Sequence, residues 1–403
     1  MNRNGQMGKM SFISFLKEYG IFIALAIMFI CSNSLILPGI TSMVLAFAYI
    51  GYVKFRDGVF SLKYAQLFLC FLFSCYVSIL AYLKADYHIL VFTVLIIVCT
   101  PFCTSKKVFL FERKLIKTIL LTFPLVSMLC FYCYWRGINA FNPDAAFGEE
   151  LDVSFSAIYP HPMWLAPVAA LGNISLLWLI FHARKKVYKY LFLLFLLISF
   201  YVATVAASRA AFFSSLICMV AFILYKMKNV KRFFLYATAI GTLVYFTAPL
   251  YYAHSTQMQN KFIIGKEYKY GSRTMHFEEG FRHLQDSPFI GSGFATAWYA
   301  NDKLILGRLE SGSGWLSVLF QLGILGMIVM LAILMKIKRV FRYVNEDGTL
   351  QLFVICMLFI CLHSCFEGYL LTIGYYIGVV FWLLIGHLSV YPEMKRKYNL
   401  HFK

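Results

Sequence analysis

Long apolar stretches alternate with short polar connections along most of this chain. A helix that crosses a bilayer needs about 20 apolar residues. By that measure the sequence contains twelve apolar segments, near residues 18–33, 35–53, 63–83, 86–103, 115–134, 162–181, 190–206, 210–225, 233–252, 314–335, 350–366 and 370–390. We therefore predict an all-α, polytopic integral membrane protein with about twelve transmembrane helices. The pattern predicts a single membrane domain over residues 1–403.

Two longer polar stretches interrupt this alternation. The pattern predicts a minor outer loop at residues 135–161 and a major outer loop at residues 253–312. The major loop mixes acidic and basic residues with histidines and glycines. Connections of this length are usually functional. We expect the major loop to carry short helices and the catalytic residues.

Composition supports the membrane prediction. The chain is 61% hydrophobic and 14% charged, whereas soluble domains carry about 25% charged residues. The net charge of +19 is unevenly distributed, because 27 of the 37 lysines and arginines fall in the termini and in the loops on the side of the termini. Such a bias marks the cytoplasmic side. Both termini are therefore expected in the cytoplasm, and the basic excess indicates topology and lipid contact rather than nucleic-acid binding.

Neither the cysteines nor the spacing of potential metal ligands indicates a metal site or a disulfide framework. All 11 cysteines lie in the apolar segments, and neither outer loop contains a D-x-D pair. Zinc sites and disulfide frameworks have recognisable cysteine and histidine spacings, which this sequence does not show. We expect no metal and no cofactor.

Arg209 is the most informative single residue. It lies in the run VAASRAAFF, where almost no hairpin separates the seventh and eighth segments. A charge at this depth costs a few kcal/mol unless it is paired or hydrated. A guanidinium binds phosphate through two parallel hydrogen bonds. Arg209 is either a clamp for the phosphate of a lipid-linked substrate or an arginine that anchors a helix end at the surface.

The second informative stretch is GSRTMHFEEGFRHLQDSPFIGSGF in the major loop. Its periodicity predicts a short amphipathic helix over residues 270–283, ended by Asp286-Ser287-Pro288 and followed by a flexible turn at Gly291-Ser292-Gly293. Arg273 would lie in the first turn, where free N–H groups bind anions. The alternative is an interfacial helix whose charged face is simply hydrated.

Three elements occur together and in a fixed order. They are Arg209 at an outer hairpin, R-x(6)-G-F-x(6)-P-x(2)-G-x-G from Arg273 to Gly293, and W-L-x(2)-L-x(3)-G-I-L-G from Trp315 to Gly326. Together they resemble the O-antigen ligase and polymerase superfamily of bacterial envelope enzymes, over roughly residues 160–340.

The resemblance implies a glycosyltransferase of the bacterial inner membrane that works on the periplasmic side without a metal. Its partners would be an undecaprenyl-diphosphate-linked glycan donor and acceptor, membrane lipid and a possible chain-length regulator protein, with no nucleic acid. In this resemblance Arg209 and Arg273 match arginines that would hold the pyrophosphate.

One departure from the family pattern separates the two activities. Ligases usually carry His-Asn at the mouth of the tenth span, where this chain has Gly312-Ser313. The departure favours an O-antigen or capsule polymerase over a ligase that transfers the glycan to lipid A-core. It also leaves the general base open among Glu310, His276, Glu279 and His283. A flippase is the alternative of another class, but it would need charges deep within several spans.

Two further groups have open interpretations. His363 and Glu367 are four residues apart, so on one helix they would share a face and could either line the site or pack as a polar pair. His161 stands between two prolines and could join the site or begin a helix.

Overall fold

The structure of the protein is a computed structural model. It describes residues 12–37, 39–81, 87–140, 155–206, 208–227, 238, 241–242, 272–299, 303–306, 312–372, 374–400 and 402.

Helices make up most of the described part. They are α1 (Phe12–Ile30), α2 (Gly39–Asp57), α3 (Leu62–Ser78), α4 (His88–Cys99), α5 (Lys106–Trp135), α6 (Pro162–His182), α7 (Lys186–Val205), α8 (Arg209–Lys226), α9 (Ser272–Asp286), α10 (Gly314–Ile337), α11 (Gly348–His363) and α12 (Tyr376–Lys397). Two short antiparallel strand pairs accompany them, β1 (Val59–Phe60) with β2 (Cys103–Thr104) and β3 (Thr296–Tyr299) with β4 (Lys303–Leu306).

The predicted all-α, polytopic membrane fold is confirmed. Among the described helices, seven are long and apolar enough to cross a membrane, and α4 and α11 are shorter apolar helices. Eleven of the twelve predicted segments overlap one of the helices just given. The ninth, at residues 233–252, lies almost wholly outside the described residues. The number of spans therefore stays a prediction.

The last predicted segment has the wrong boundaries. Hydropathy places it over residues 370–390, but α12 begins at Tyr376, and residues 364–372 and 374–375 are irregular. Tyr369, Leu370 and Leu371 of this irregular segment are nevertheless buried, and the indole of Trp382 in α12 donates to the carbonyl of Leu370 at 2.9 Å. Because a buried irregular segment is as apolar as a helix, hydropathy alone does not distinguish the two.

Ion pairs hold several helix ends together at one end of the bundle. Arg113, near the start of α5, makes two hydrogen bonds of 2.7 Å to Asp347, the residue that caps α11. Burial opposes ionisation of Asp347, but the Arg113 guanidinium and the Tyr391 hydroxyl outweigh it and lower the Asp347 pKa. Further pairs at this basic end are Lys114–Glu18, Lys54–Glu112, Lys63–Glu393 and Lys395–Glu346.

The basic end contains both the start of α1 and the end of α12, because Glu18 and Lys395 belong to its ion pairs. We call the opposite end of the bundle the loop end. Helix α12 runs from the basic end to the loop end through the centre of the bundle. In its most apolar stretch of 18 residues 94% are buried, compared with 28% in that of α7. The start of α1 and the end of α12 thus lie at the same end of the bundle, as expected for a chain that crosses the membrane an even number of times.

The side of the membrane on which each end lies can be tested by labelling. We replace the native cysteines and introduce single cysteines at Arg136, exposed beyond α5 at the loop end, and at Lys185, exposed at the basic end. In intact spheroplasts a membrane-impermeant thiol reagent should label position 136 and leave position 185 unlabelled, because basic loops stay in the cytoplasm. The reverse labelling would overturn the predicted orientation.

Candidate functional site

The loop end contains the N-termini of α6 and α8, as contacts at their other ends show. Trp178 in the last turns of α6 donates to the carbonyl of Gly348 at 2.6 Å, and Tyr225 of α8 donates to Asn345. These contacts place the C-terminal halves of α6 and α8 at the basic end. The residues that begin these helices, His161 and Arg209, therefore lie at the loop end.

Arg209 is the first residue of α8 and is exposed. The hairpin before it is as short as predicted, because α7 ends at Val205. Ser208 caps α8, and its hydroxyl accepts from Ala211 N at 3.5 Å. A cation in the first turn opposes the helix dipole, typically by about 0.3–1 kcal/mol. The charge of Arg209 therefore does not favour the dipole of α8.

The predicted amphipathic helix of the major loop is present as α9. Arg273 lies in its first turn, as predicted, and His276 follows three residues later. Two other candidate bases, Glu279 and His283, lie in its second half. The helix continues to Asp286, where the Asp-Ser-Pro sequence ends it. Arg273 and three of the four candidate bases are therefore on one helix, while Glu310 lies outside the described residues.

Charged side chains of α9 form a local cluster. Glu279 Oε2 lies 2.7 Å from Arg282 Nη2 and 3.7 Å from His283 Nε2. The other ring nitrogen of His283 lies 3.6 Å from Asp286, and the imidazole is buried. Arg282 Nη2 also lies 3.5 Å from Nε2 of this ring. Carboxylates on two sides can orient an imidazole, and an oriented imidazole is an arrangement that general acid–base chemistry uses.

The segment after α9 packs against a break in α10. Gly323 has φ 65° and ψ −165° inside that helix. Around it, Ile324 N donates to Pro288 O at 2.9 Å and Leu325 N to Phe289 O at 3.1 Å. The break also frees helix carbonyls, which accept hydrogen bonds from the loop. Ser292 N donates to Phe320 O at 2.8 Å, and Gly293 N donates to Gln321 O at 3.1 Å. The loop thus supplies hydrogen bonds that α10 lacks at the break.

Glycines make this close approach possible. A Cβ on Gly280 would lie 2.4 Å from the Phe320 ring, and one on Gly291 would lie 2.5 Å from backbone atoms of α10. A Cβ on Gly323 would lie 2.5 Å from the backbone of Phe289. The prediction of a flexible turn at residues 291–293 is wrong, because these residues are buried and hydrogen-bonded to α10. The two sequence motifs after Arg209 are therefore the two sides of one packing interface.

Beyond this interface, the loop reaches α3 and then forms a hairpin. Phe294 N donates to Ser78 Oγ at 3.0 Å, and Ala295 N donates to the Gln321 side chain at 3.0 Å. Strands β3 and β4 follow as an antiparallel pair. The sequence prediction missed this hairpin. Its signal was present, since two runs rich in aromatic and branched residues, T-A-W-Y and K-L-I-L, flank a short polar turn.

The mouth of α10 is closed by the residues after α11. Ser313 caps α10 and is 2% exposed. Gly314 N donates to Ser364 O at 2.7 Å and to Glu367 O at 2.9 Å, and the Trp315 indole donates to Cys361 O at 2.9 Å. A Cβ on Gly314 would lie 2.8 Å from Leu370. This mouth is a tightly packed junction.

His363 and Glu367 are not a pair on one helical face, because α11 ends at His363 and Glu367 lies in the irregular segment. The imidazole of His363 is 1% exposed, and its Nδ1 lies 2.9 Å from the Tyr369 hydroxyl. Burial raises the pKa of Tyr369 well above its ordinary value, so this phenol is a hydrogen-bond donor rather than a base. The contact favours the packing interpretation of His363.

His161 begins α6. Its Nδ1 accepts from Met163 N at 3.1 Å, which is the geometry of an N-cap. The carbonyl of Met163 accepts from the Tyr375 hydroxyl at 2.9 Å, which ties this helix start to α12. Of the two interpretations of His161, the structure thus shows the helix entry.

Comparison with known protein families finds a match over part of the chain. Residues 194–331 match the family model described as O-antigen ligase. The matched residues include Arg209, α9 and most of α10. No curated protein matches the chain. The match supports the resemblance read from the motifs, and with it a multi-pass membrane enzyme of the O-antigen ligase and polymerase superfamily.

Proposed function

We propose that the protein is a polymerase of O-antigen or capsule repeat units at the periplasmic face of the inner membrane. The observation that favours polymerase over ligase is the mouth of α10. The ligase His-Asn position corresponds to Gly312-Ser313 here, and Ser313 is used as a buried helix cap. The next residue, Gly314, is also packed tightly, because a Cβ there would lie 2.8 Å from Leu370.

The reaction follows from the substrates that the superfamily implies. A hydroxyl of the incoming repeat unit attacks the anomeric carbon of the growing glycan, and the bond from that carbon to the diphosphate oxygen breaks. The hydroxyl proton passes to a base, and undecaprenyl diphosphate leaves with the electron pair. Such a reaction needs a positioned base and cations for the leaving diphosphate.

For the cations we propose Arg209 and Arg273. Both lie in the first turn of a helix, α8 and α9 respectively, and helix N-termini bind anions. In this proposal α9 lies over the short α7–α8 hairpin, and both guanidinium groups reach one diphosphate. The packing of the loop on α10 holds α9 at the loop end, which is the end where Arg209 lies.

The base is one of His276, Glu279, His283 and Glu310. Glu279 forms an ion pair of 2.7 Å with Arg282. The buried imidazole of His283 lies between the carboxylates of Glu279 and Asp286.

A flippase is disfavoured by the placement of buried charge. The buried pair Lys54–Glu112 lies at the basic end, with His387 3.7 Å from the carboxylate. Lys54 also donates to Thr100 O at 2.7 Å, so this cluster is hydrogen-bonded within the packed residues of that end. A chain-length regulator remains a proposed partner.

A reconstituted reaction distinguishes the activities. Purified protein in liposomes with the lipid-linked repeat unit alone should produce a ladder of longer lipid-linked glycans, and a chelator should leave the ladder unchanged. Products that appear only when lipid A-core is added would identify a ligase. Loss of the ladder with EDTA and its recovery with a divalent ion would refute the metal-independent reaction.

A further inference from the structure

A cavity of about 630 Å³ lies between α1 and α5 at the basic end, far from the candidate site. It runs along α5 from Leu110 to Leu125, which is about 22 Å at 1.5 Å per residue. The cavity therefore extends from the ion pairs of the basic end into the apolar part of the span. Its lining residues are Tyr19, Ile23, Leu110, Arg113, Lys114, Lys117, Thr118, Leu121, Thr122, Leu125, Thr349 and Phe402.

Three cations line the end of this cavity nearest the surface. Arg113 is held by Asp347, and Lys114 lies 3.0 Å from Glu18. Lys117 is half-buried, and no carboxylate of the described residues forms an ion pair with it. Its ammonium lies 5.7 Å from the centre of the Trp178 ring. The three cations thus exceed their two carboxylate partners by one positive charge.

The deeper part of the cavity is apolar. Ile23, Leu121 and Leu125 form its walls. The hydroxyls of Thr118 and Thr122 donate to carbonyls one turn earlier, at 2.9 and 2.8 Å, so they are satisfied within α5. Leu110 and Leu125 are 38% and 63% exposed. The groove therefore opens onto the apolar surface that faces lipid.

We propose that this cavity binds an anionic phospholipid from the leaflet at the basic end. The phosphate lies at Lys114 and Lys117, and one acyl chain lies along Ile23, Leu121 and Leu125. Basic pockets between transmembrane helices recognise such headgroups by charge. A free phosphate would contact only the cations and not the apolar half of the groove. Residues 1–11 of the chain do not suit the cationic half either, because they carry Arg3 and Lys9 but no carboxylate. An acidic headgroup with an acyl tail fits both halves of the groove.

A lipid-binding measurement tests the cationic half of the cavity. Purified, delipidated protein is titrated with phosphatidylglycerol or phosphatidylcholine, and bound lipid is counted by native mass spectrometry. Wild type should prefer phosphatidylglycerol. The double variant Lys114→Gln/Lys117→Gln should bind it about 30-fold more weakly, given a contribution of about 1 kcal/mol per cation. The control Lys185→Gln/Lys186→Gln removes the same charge from exposed positions at the same end and should bind like wild type.

A second variant tests the apolar half and does not depend on the lysines. Thr118→Trp keeps all three cations but fills the groove, so phosphatidylglycerol should be lost while binding of inorganic phosphate is unchanged. Equal retention of both lipids by wild type would overturn the proposal, as would wild-type affinity in the double lysine variant or in Thr118→Trp. Size exclusion and melting curves identify any variant that is not folded.

Discussion

Replacing Arg209 or Arg273 by lysine should abolish most glycan chain extension while the protein accumulates normally. A guanidinium holds a phosphate through two parallel hydrogen bonds, and an ammonium offers only a point charge. Loss of one charge-assisted hydrogen bond costs about 1.5–3 kcal/mol, or roughly a 10- to 150-fold loss of rate if it acts in the transition state. The measurement is the ladder of polymerised glycan on a gel, beside an immunoblot of the protein.

Arg136→Lys is the matched control. Arg136 is exposed at the loop end, directly after α5, and has no role in the proposal. This variant should give a full ladder. If Arg209→Lys and Arg273→Lys also give full ladders at normal abundance, neither arginine holds the diphosphate. Arg209 would then be a helix anchor.

Gly323→Ala should separate the major loop from α10 and abolish polymerisation. Alanine rarely adopts the backbone angles of Gly323, a strain of about 1–3 kcal/mol, and its Cβ would lie 2.5 Å from the Phe289 backbone. Overpacking adds about 1–3 kcal/mol. The loop should therefore become sensitive to protease near residues 287–299. Gly291→Ala should do the same from the other side of the interface, because its φ is +74°.

Gly20→Ala is the control for this experiment. Gly20 lies within α1, and a Cβ there would meet nothing within 4 Å. Alanine is the better helix former by about 1 kcal/mol, so this variant should be as stable as wild type or slightly more stable. If the loop of Gly323→Ala resists protease and the variant gives a full ladder, the α10 break is not needed to hold the site.

The sequence alone determined the parts of this protein that depend on local chemistry. Apolar length predicted the helices, and the lysine and arginine bias predicted the basic end, because both follow from the cost of placing polar groups in lipid. Local periodicity and the Asp-Ser-Pro stop predicted α9. Arg209 and Arg273 stand out in the sequence as well, because each is a cation within a short motif next to small residues.

Only the tertiary structure decided how the loop is held. Gly291 and Gly323 are 32 positions apart. Each must be glycine because a Cβ there would lie 2.5 Å from backbone atoms of the other segment. Tyr369, Leu370 and Leu371 are buried in an irregular segment beside α12, and Ser364 and Glu367 of the same segment accept from Gly314 at the mouth of α10. Arg113 and Asp347 are separated by 234 residues. Contacts of this kind depend on where distant segments meet, and neither hydropathy nor local periodicity contains that information.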